Sequence, residues 1–186
     1  TVAELISYSK QNPGKLTYGS GGTGTSLHLA DAMFAQMAGI NALHVPYKGS
    51  TPALIDLMGG RVDYMFVDTS AMANVNAGKI KLLAVTSGKR STLLPDTPTV
   101  AESGLPGYEA INWYGFFAPA GTPPEAVQWL HDKIQAALAE PALVNKLKSQ
   151  MVELPPAMDS AAFAQFVAGD TAKWSQLIKA MNLKLD

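Results

Sequence analysis

Hydrophobic residues in the first half of the chain follow two alternating patterns, short apolar runs and a recurrence every three or four positions. The recurrence predicts helices over 2–10, 26–38 and 52–58, followed by a short helix that ends at Gly78. The short runs predict strands over 16–18, 42–45, 64–67 and 80–85. Because short connections join these elements in alternation, the pattern favours an α/β fold with a mainly parallel sheet covered by helices. Ligands of such sheets bind beyond the carboxyl ends of the strands.

Turn-forming and capping residues mark the ends of these helices. Gly39 and the pair Gly59 and Gly60 are expected to end the second and third helices, because glycine accepts the left-handed conformation common at helix C-caps. Thr51 is expected to cap the third helix, with Pro52 at its first position.

The alternation stops after position 86. Residues 87–110 form a crossover rich in proline and glycine, which is typical of a connection between domains. We therefore expect two domains, a strand-rich one over 1–110 that includes the crossover, and a mostly helical one over 111–186.

The second domain has more helix than sheet. An aromatic-rich run predicts a strand over 111–118, and residues 122–125 match a capping box with proline at the first helical position. Apolar spacing then predicts helices over 123–138, 141–150 and 159–182. One strand, or two if 152–154 pairs, offers these helices little sheet, so this part is expected to be half a domain.

A glycine-rich loop between the first strand and the second helix is the strongest candidate site. Four of the six residues from Gly19 to Gly24 are glycines, which lack the Cβ atoms that would keep a ligand away from the main chain. The helix that follows leaves its first N–H groups unpaired and carries partial positive charge there. With the hydroxyls of Ser20, Thr23 and Thr25, the loop predicts an anion site rather than a plain connection.

The same loop matches the G-x-G-x-x-G pattern of dinucleotide-binding folds. The alternative is therefore a nucleotide- or NAD(P)-binding enzyme domain. That fold ends its second strand in an Asp or Glu that holds the ribose, whereas this chain has His44, Val45 and Pro46 there. A P-loop would need lysine at the position of Thr25.

Two further loops are expected at the same edge of the sheet. Tyr47, Lys48 and Gly49 follow the second strand, and Asp68 follows the third. The tyrosine hydroxyl or the lysine can donate to an anion, and Asp68 either accepts from a ligand or caps the next helix. His28, one turn into the second helix, is expected to be structural or to lie behind the site.

Catalysis and metal binding have little support in these residues. The chain has no cysteine and no G-x-S-x-G elbow, and its three histidines are scattered without the spacing of metal ligands. We therefore expect no catalytic residue, no metal site and no cofactor.

Charge and hydropathy narrow the range of partners. A formal net charge of −1 without a basic run provides no electrostatic footprint for nucleic acid or an anionic membrane. No apolar run is long enough to insert into a membrane. The first eleven residues are amphipathic and unlike a signal peptide, so the leader of an exported protein would lie upstream.

Several segments along the whole chain share the order and spacing of one protein family. They include NPGKLTYGS at 12–20, VPYKGS at 45–50, DLMGGRVD at 56–63 and LPDTPTVAESG at 94–104. Shorter matches are Gly24 and Thr25 with His28 and Leu29, Gly78 and Lys79 with 82–86, and Trp113 and Gly115 with 118–123. Together they resemble the Bug family, the periplasmic solute receptors of bacterial tripartite tricarboxylate transporters.

This resemblance implies a fold and a function. The fold is a two-lobed receptor of the periplasmic-binding-protein type, with a nearly complete second lobe over 1–110 and the C-terminal half of the first lobe over 111–186. Such a receptor is not an enzyme. It is periplasmic, closes on a small carboxylate such as an amino acid, a di- or tricarboxylate or an aromatic acid, and delivers it to membrane transporter subunits.

The resemblance also implies which residues bind. Members of the glycine loop would cradle the ligand carboxylate, namely Ser20, Gly21, Thr23, Gly24 and Thr25. Residues of the adjoining loops would contribute less, namely Tyr47, Lys48, Gly49 and Asp68. Neither nucleic acid nor direct membrane insertion is expected.

Overall fold

The computed structural model describes residues 1–181. The chain divides into two compact units, the first formed by Thr1–Asn112 with the chain from Gln176 onward, and the second by Trp113–Ser175. Position 182 of the last predicted helix lies outside the described residues.

Within residues 1–181 the chain forms seven α-helices and three β-strands. The helices are α1 (Val2–Gln11), α2 (Ser26–Ala38), α3 (Ser50–Met58), α4 (Met72–Asn76), α5 (Pro124–Leu138), α6 (Pro141–Ser149) and α7 (Ser160–Ala180). The strands are β1 (Thr17–Ser20), β2 (Leu43–Pro46) and β3 (Tyr64–Met65). A single 3-10 turn over Thr69–Ala71 leads into α4.

The three strands form one parallel sheet in the order β2-β1-β3. Thr17 pairs with Leu43 and Gly19 with Val45 on one side of β1, and Tyr18 pairs with Tyr64 on the other. Since parallel neighbours run in the same direction, their carboxyl ends lie at one edge. The predicted α/β fold with a parallel sheet and flanking helices is confirmed.

Aromatic residues from α2 and the crossover fill the core of the first unit. Phe34 and Tyr108 are 2% and 1% exposed, and their rings meet edge to face with centroids 6.4 Å apart. Phe66 lies 5.6 Å from Phe34 and 6.2 Å from Tyr108. The Tyr108 hydroxyl donates to the Ala30 carbonyl at 2.9 Å, so the crossover is tied to α2 by packing and by a buried hydrogen bond.

Asp31 is an ionisable group in this core. Its side chain on α2 is 1% exposed, and neither carboxyl oxygen forms a hydrogen bond within residues 1–181. Burial raises its pKa to about 7, and the facing Tyr64 and Tyr18 side chains offset only part of that rise. Ionising the carboxyl therefore costs the folded state stability.

The predicted strand over 80–85 is wrong. Val85 forms an isolated parallel bridge with Thr99, in which its N–H donates to the Pro98 carbonyl at 2.9 Å and its carbonyl accepts from the Val100 N–H at 3.0 Å. A strand needs a partner along its length, and residues 80–84 form no ladder in the described chain.

The predicted strand over 111–118 is also wrong. It forms no ladder within the described residues, and Tyr114, Phe116 and Phe117 are 87%, 78% and 70% exposed. No strand forms over 152–154 either, so the second unit offers this segment no partner strand for its backbone groups.

Trp113 is anchored to a helix instead of a sheet. Inside the second unit its ring lies 5.8 Å from Phe163 and 5.3 Å from Phe166 of α7, edge to face in both pairs. Its Nε1–H donates to Asp170 at 2.9 Å. Trp113 is half-buried, and this hydrogen bond together with the ring contacts fixes its indole against α7.

Both predicted threonine caps are wrong. Thr51 lies inside α3, which begins at Ser50 after Gly49 and has no side-chain cap. The Thr122 hydroxyl donates to the Pro119 carbonyl at 2.8 Å, so it is engaged in the preceding turn. Pro123 is the N-cap of α5 and Pro124 its first residue, so the helix begins one residue later than predicted, although a proline still occupies its first position.

Replacing Gly39 by alanine should destabilise the first unit by about 1 kcal/mol. Gly39 ends α2 with a left-handed φ of 61°, and a Cβ there would meet nothing within 4 Å, so the cost is backbone strain alone. Urea unfolding measures it. Gly59, which ends α3 with a right-handed φ of −84°, is the matched control, and Gly59→Ala should change stability by less than about 0.5 kcal/mol. Equal losses in the two variants would contradict this account.

The variant Asp31→Asn should be more stable than the wild type at pH 8, by roughly 4 kcal/mol, and closely similar at pH 4. The pKa of Asp31 is raised from 3.8 to about 7 in the folded state. Its favourable contribution is therefore present below the unfolded pKa and is lost as pH rises through the folded pKa. Unfolding in urea at several pH values measures the difference, and a gain that is constant across pH would show that the carboxyl does not titrate as described.

Candidate functional site

Three loops leave the sheet at its carboxyl edge. The glycine loop follows β1, residues 47–49 follow β2, and residues 66–68 follow β3. Because β1 lies between its two neighbours, the glycine loop occupies the middle of this edge. The sequence-predicted site residues are thus distributed over three adjacent strand ends.

The first two loops are joined through their backbones. The Tyr47 N–H donates to the Ser20 carbonyl at 3.0 Å, and the Gly49 N–H donates to the Gly21 carbonyl at 3.1 Å. A Cβ on Gly21 would lie 3.1 Å from the Ser50 Oγ and 3.2 Å from its backbone nitrogen. Glycine at position 21 therefore allows the two loops to touch.

Thr25 closes the glycine loop onto itself. Its hydroxyl donates to the Gly22 carbonyl at 2.8 Å, and its N–H reaches the same carbonyl at 3.3 Å. Gly22 has a φ of 134°, which side-chain-bearing residues rarely adopt. Thr25 is also the N-cap of α2, where its Oγ accepts from the His28 N–H at 3.4 Å. Its hydroxyl thus holds the loop together.

Backbone amides at the start of α2 are the donors left for a ligand. Ser26 and Leu27 are its first two residues, so their N–H groups have no acceptor within the helix. In the described part of the chain the Thr23 N–H has no backbone acceptor either, and Thr23 is exposed. The positive end of the helix dipole lies here, so this end of α2 suits an anion.

Ser20 lies behind the loop. It is 1% exposed, its Oγ lies 2.6 Å from the His44 Nε2, and it accepts from the Gly22 N–H at 3.2 Å. Its hydroxyl is therefore part of the support of the loop.

The remaining predicted residues have partners of their own or face solvent. The Tyr47 hydroxyl donates to Asp56 at 2.8 Å, and Asp56 also pairs with Arg61 at 2.7 Å. Asp68 accepts from the Ser70 N–H at 2.9 Å and so caps the 3-10 turn. Lys48 is exposed. Of the two roles considered for Asp68, the structure shows the cap.

Two histidines stack directly beneath the glycine loop. The rings of His28 and His44 are 4.0 Å apart and nearly parallel, and the Tyr18 ring also stacks against His44 at 4.8 Å. The Gly24 N–H donates to the His28 Nδ1 at 3.0 Å. Sequence reasoning left the role of His28 open between structural and supporting, and it assigned none to His44.

Burial keeps both imidazoles neutral near pH 7. It lowers the pKa of His28, and it lowers the pKa of His44 to about 4, with a smaller contribution from the neighbouring His28. His28 is 4% exposed, so solvent scarcely reaches its ring. The floor of the loop is therefore polar but uncharged.

Among residues 1–181 no group of three His, Asp or Glu side chains is placed to hold a metal ion. None of the described helices is both long enough and apolar enough to cross a membrane.

Comparison with known proteins identifies the family. The model of the tripartite tricarboxylate transporter family receptor matches residues 1–183. A UPF0065 protein from Pseudomonas sp. is 42% identical over 179 residues, which are 95% of this chain and 53% of the relative. Protein BugT of Bordetella pertussis is 31% identical over 182 residues, 97% of this chain and 56% of BugT. The chain thus spans about half the length of these relatives.

Solved structures agree with the sequence relatives. A protein of R. palustris determined with adipate superposes with a TM-score of 0.83 at 38% identity, covering 96% of this chain and 60% of that one. The periplasmic binding protein BugD gives 0.80 at 37% identity, with 97% and 61% covered. MatC from Rhodopseudomonas palustris with bound malate gives 0.78 at 28% identity, with 95% and 61% covered.

The family is one of transporter receptors rather than enzymes, BugD is a periplasmic binding protein, and two of the structures contain a dicarboxylate. The G-x-G-x-x-G match of the glycine loop therefore lies in a receptor family. The alternative hypothesis of a nucleotide- or NAD(P)-binding enzyme domain is not favoured. The parallel α/β unit, the family model and the structural matches agree on one conclusion. The chain belongs to the tripartite tricarboxylate transporter receptor family, the Bug receptors.

Proposed function

We propose that this chain is the carboxylate-holding part of a periplasmic solute receptor. The observation that carries the proposal is the set of backbone amides at the start of α2, reached through a glycine loop in the middle of the carboxyl edge of the sheet. A carboxylate has two oxygens that accept several hydrogen bonds at once. Structural relatives with adipate and with malate support an acid of this size as the ligand.

Neutral donors favour a reversible complex. The floor of the loop is formed by two neutral histidines, and Lys48 on the next loop is exposed. An acid held by amides leaves no buried counter-charge, and breaking a buried ion pair is costly because it leaves one charge unpaired. A receptor that must hand over its ligand benefits from this arrangement.

The predicted site residues take different parts in this proposal. The backbone amides of Thr23, Ser26 and Leu27 contact the carboxylate, and Gly21 and Gly24 keep the approach to them free of side chains. Ser20 and Thr25 brace the loop from within. The adjoining loops line the approach to the cradle with Tyr47, Lys48, Gly49 and Asp68.

The partners and the two-lobed arrangement are part of the same proposal. Residues 1–110 would be the second lobe, and 111–186 the C-terminal half of the first. Relatives of nearly twice the length are consistent with a protein that closes around its ligand by a hinge. The closed receptor would deliver a small acid, whether an amino acid, a di- or tricarboxylate or an aromatic acid, to the membrane subunits of the transporter.

Calorimetric titration tests the ligand class. We expect at least one of glutamate, malate, adipate, citrate and benzoate to bind the chain, or the complete protein that its gene encodes, whereas NAD and ATP should not bind. Binding of NAD or ATP without binding of any of the acids would overturn the proposal.

The substitution Gly22→Ala should weaken binding of that acid at least about tenfold, because a φ of 134° strains an alanine and distorts the loop. Gly14→Ala is the matched control. Gly14 also has a positive φ, 71°, and a Cβ there meets nothing within 4 Å, but it lies in the turn after α1. It should cost stability and leave affinity unchanged, and equal affinity in the two variants would show that the loop does not contact the acid.

A further inference from the structure

The two histidines beneath the glycine loop contact opposite ends of it. The His28 Nδ1 accepts from the Gly24 N–H at 3.0 Å, next to the exposed residue Thr23. The His44 Nε2 lies 2.6 Å from the Ser20 Oγ, which in turn accepts from the Gly22 N–H at 3.2 Å. These contacts hold the loop at both ends through the two imidazoles.

We propose, resting on the function proposed above, that His28 is a positioning residue for carboxylate binding. Its unprotonated Nδ1 holds the Gly24 amide and so fixes the part of the loop, residues 22–25, that leads into the free amides of α2. His28 itself does not contact the ligand.

The hydrogen bond requires one tautomer of a neutral ring. An imidazole nitrogen accepts only when it carries no proton, so the His28 Nδ1 must be bare and the ring proton must be on Nε2. Protonation of the ring would place an N–H opposite the Gly24 N–H and break the bond. The Thr25 Oγ accepts from the His28 backbone N–H at 3.4 Å, so His28 braces the loop with both its side chain and its backbone.

The surroundings of His28 favour the neutral ring. The stacked neighbour His44 lies 4.0 Å away and Tyr18 lies 6.3 Å away. Asp31 on the same helix faces Tyr18 and Tyr64 and is itself held largely protonated below about pH 7 by burial. No charge among these groups stabilises an imidazolium, and burial lowers the pKa of His28.

A consequence is that the Gly24 amide is not a ligand donor. Because it is bonded to His28, the carboxylate is left with the amides of Thr23, Ser26 and Leu27. Substitution of His28 should therefore alter affinity through the shape of the loop.

Two substitutions separate the acceptor from the ring. His28→Asn keeps an acceptor oxygen close to the place of Nδ1 but loses the aromatic stack on His44. His28→Phe keeps the stack but has no acceptor. If the acceptor positions the loop, the asparagine variant should bind malate or adipate within about threefold of the wild type, and the phenylalanine variant at least about tenfold more weakly. Urea unfolding of both variants reports their stability separately.

The wild-type protein provides a second readout that needs no variant. Nitrogen-15 NMR should show the His28 Nδ1 unprotonated and hydrogen-bonded, and exchange of the Gly24 amide should be slow. The ratio of wild-type affinity to His28→Asn affinity should fall as pH drops through the pKa of His28, which lies below 6.5. Taking the ratio cancels the titration of the acid itself.

The outcomes separate this inference from the function on which it rests. If the wild type binds an acid and the phenylalanine variant binds it equally well, or better than the asparagine variant, His28 is not a positioning residue. A proton on the His28 Nδ1 in the wild-type spectrum would overturn the inference in the same way. If the wild type binds none of the acids, the proposed function fails and the inference fails with it.

Discussion

The position of β1 between two parallel neighbours is the constraint on which the rest of the first unit depends. β1 pairs in register with β2 from Thr17 with Leu43 to Ser20 with Pro46. The same register sets the backbone contacts between the glycine loop and the loop that follows β2. Gly21 has no side chain at the point where that continuation is closest. A shift of one residue would exchange the two faces of β1 and separate Ser20 from His44.

Local sequence signals were sufficient for most of the first unit. Alternating periodicities and glycine stops gave α1 to α4, the three parallel strands and the edge at which their loops meet. The strands over 80–85 and 111–118 failed because strand formation is not local. Both runs have apolar residues suited to a sheet, yet neither forms a ladder within the described residues, and no local pattern shows whether a partner is present. The predicted helix caps at Thr51 and Thr122 were wrong for a similar reason. The third helix already begins at Ser50 after Gly49, and the Thr122 hydroxyl is used in the preceding turn.

For the candidate site, sequence could locate the loop but not the partners of its side chains. The sequence suggested three hydroxyls as donors to a ligand, those of Ser20, Thr25 and Tyr47. In the structure each of these hydroxyls forms a hydrogen bond with another protein group. The one sequence feature that could have pointed to a role for His44 is that it is a polar residue within a short apolar strand. Only the register of β1 and β2, together with the position of His28 on α2, places the two imidazoles in contact. Which hydroxyls face inward therefore depends on tertiary structure.

The buried acid and the buried base in the first unit have a joint consequence for proton uptake. Between about pH 4 and 6.5 the folded state keeps Asp31 protonated and His44 neutral, whereas in the unfolded chain the carboxyl is ionised and the imidazole protonated. The folded and the unfolded state therefore each carry one proton on these two groups, and unfolding neither takes up nor releases a proton at them. The two contributions to the slope of stability against pH cancel. An exported receptor would experience the acidity of its surroundings directly. Over that interval the pair adds no net dependence of stability on pH, although each group alone would, and the acid sensitivity left in this core comes from His28, whose pKa burial also lowers.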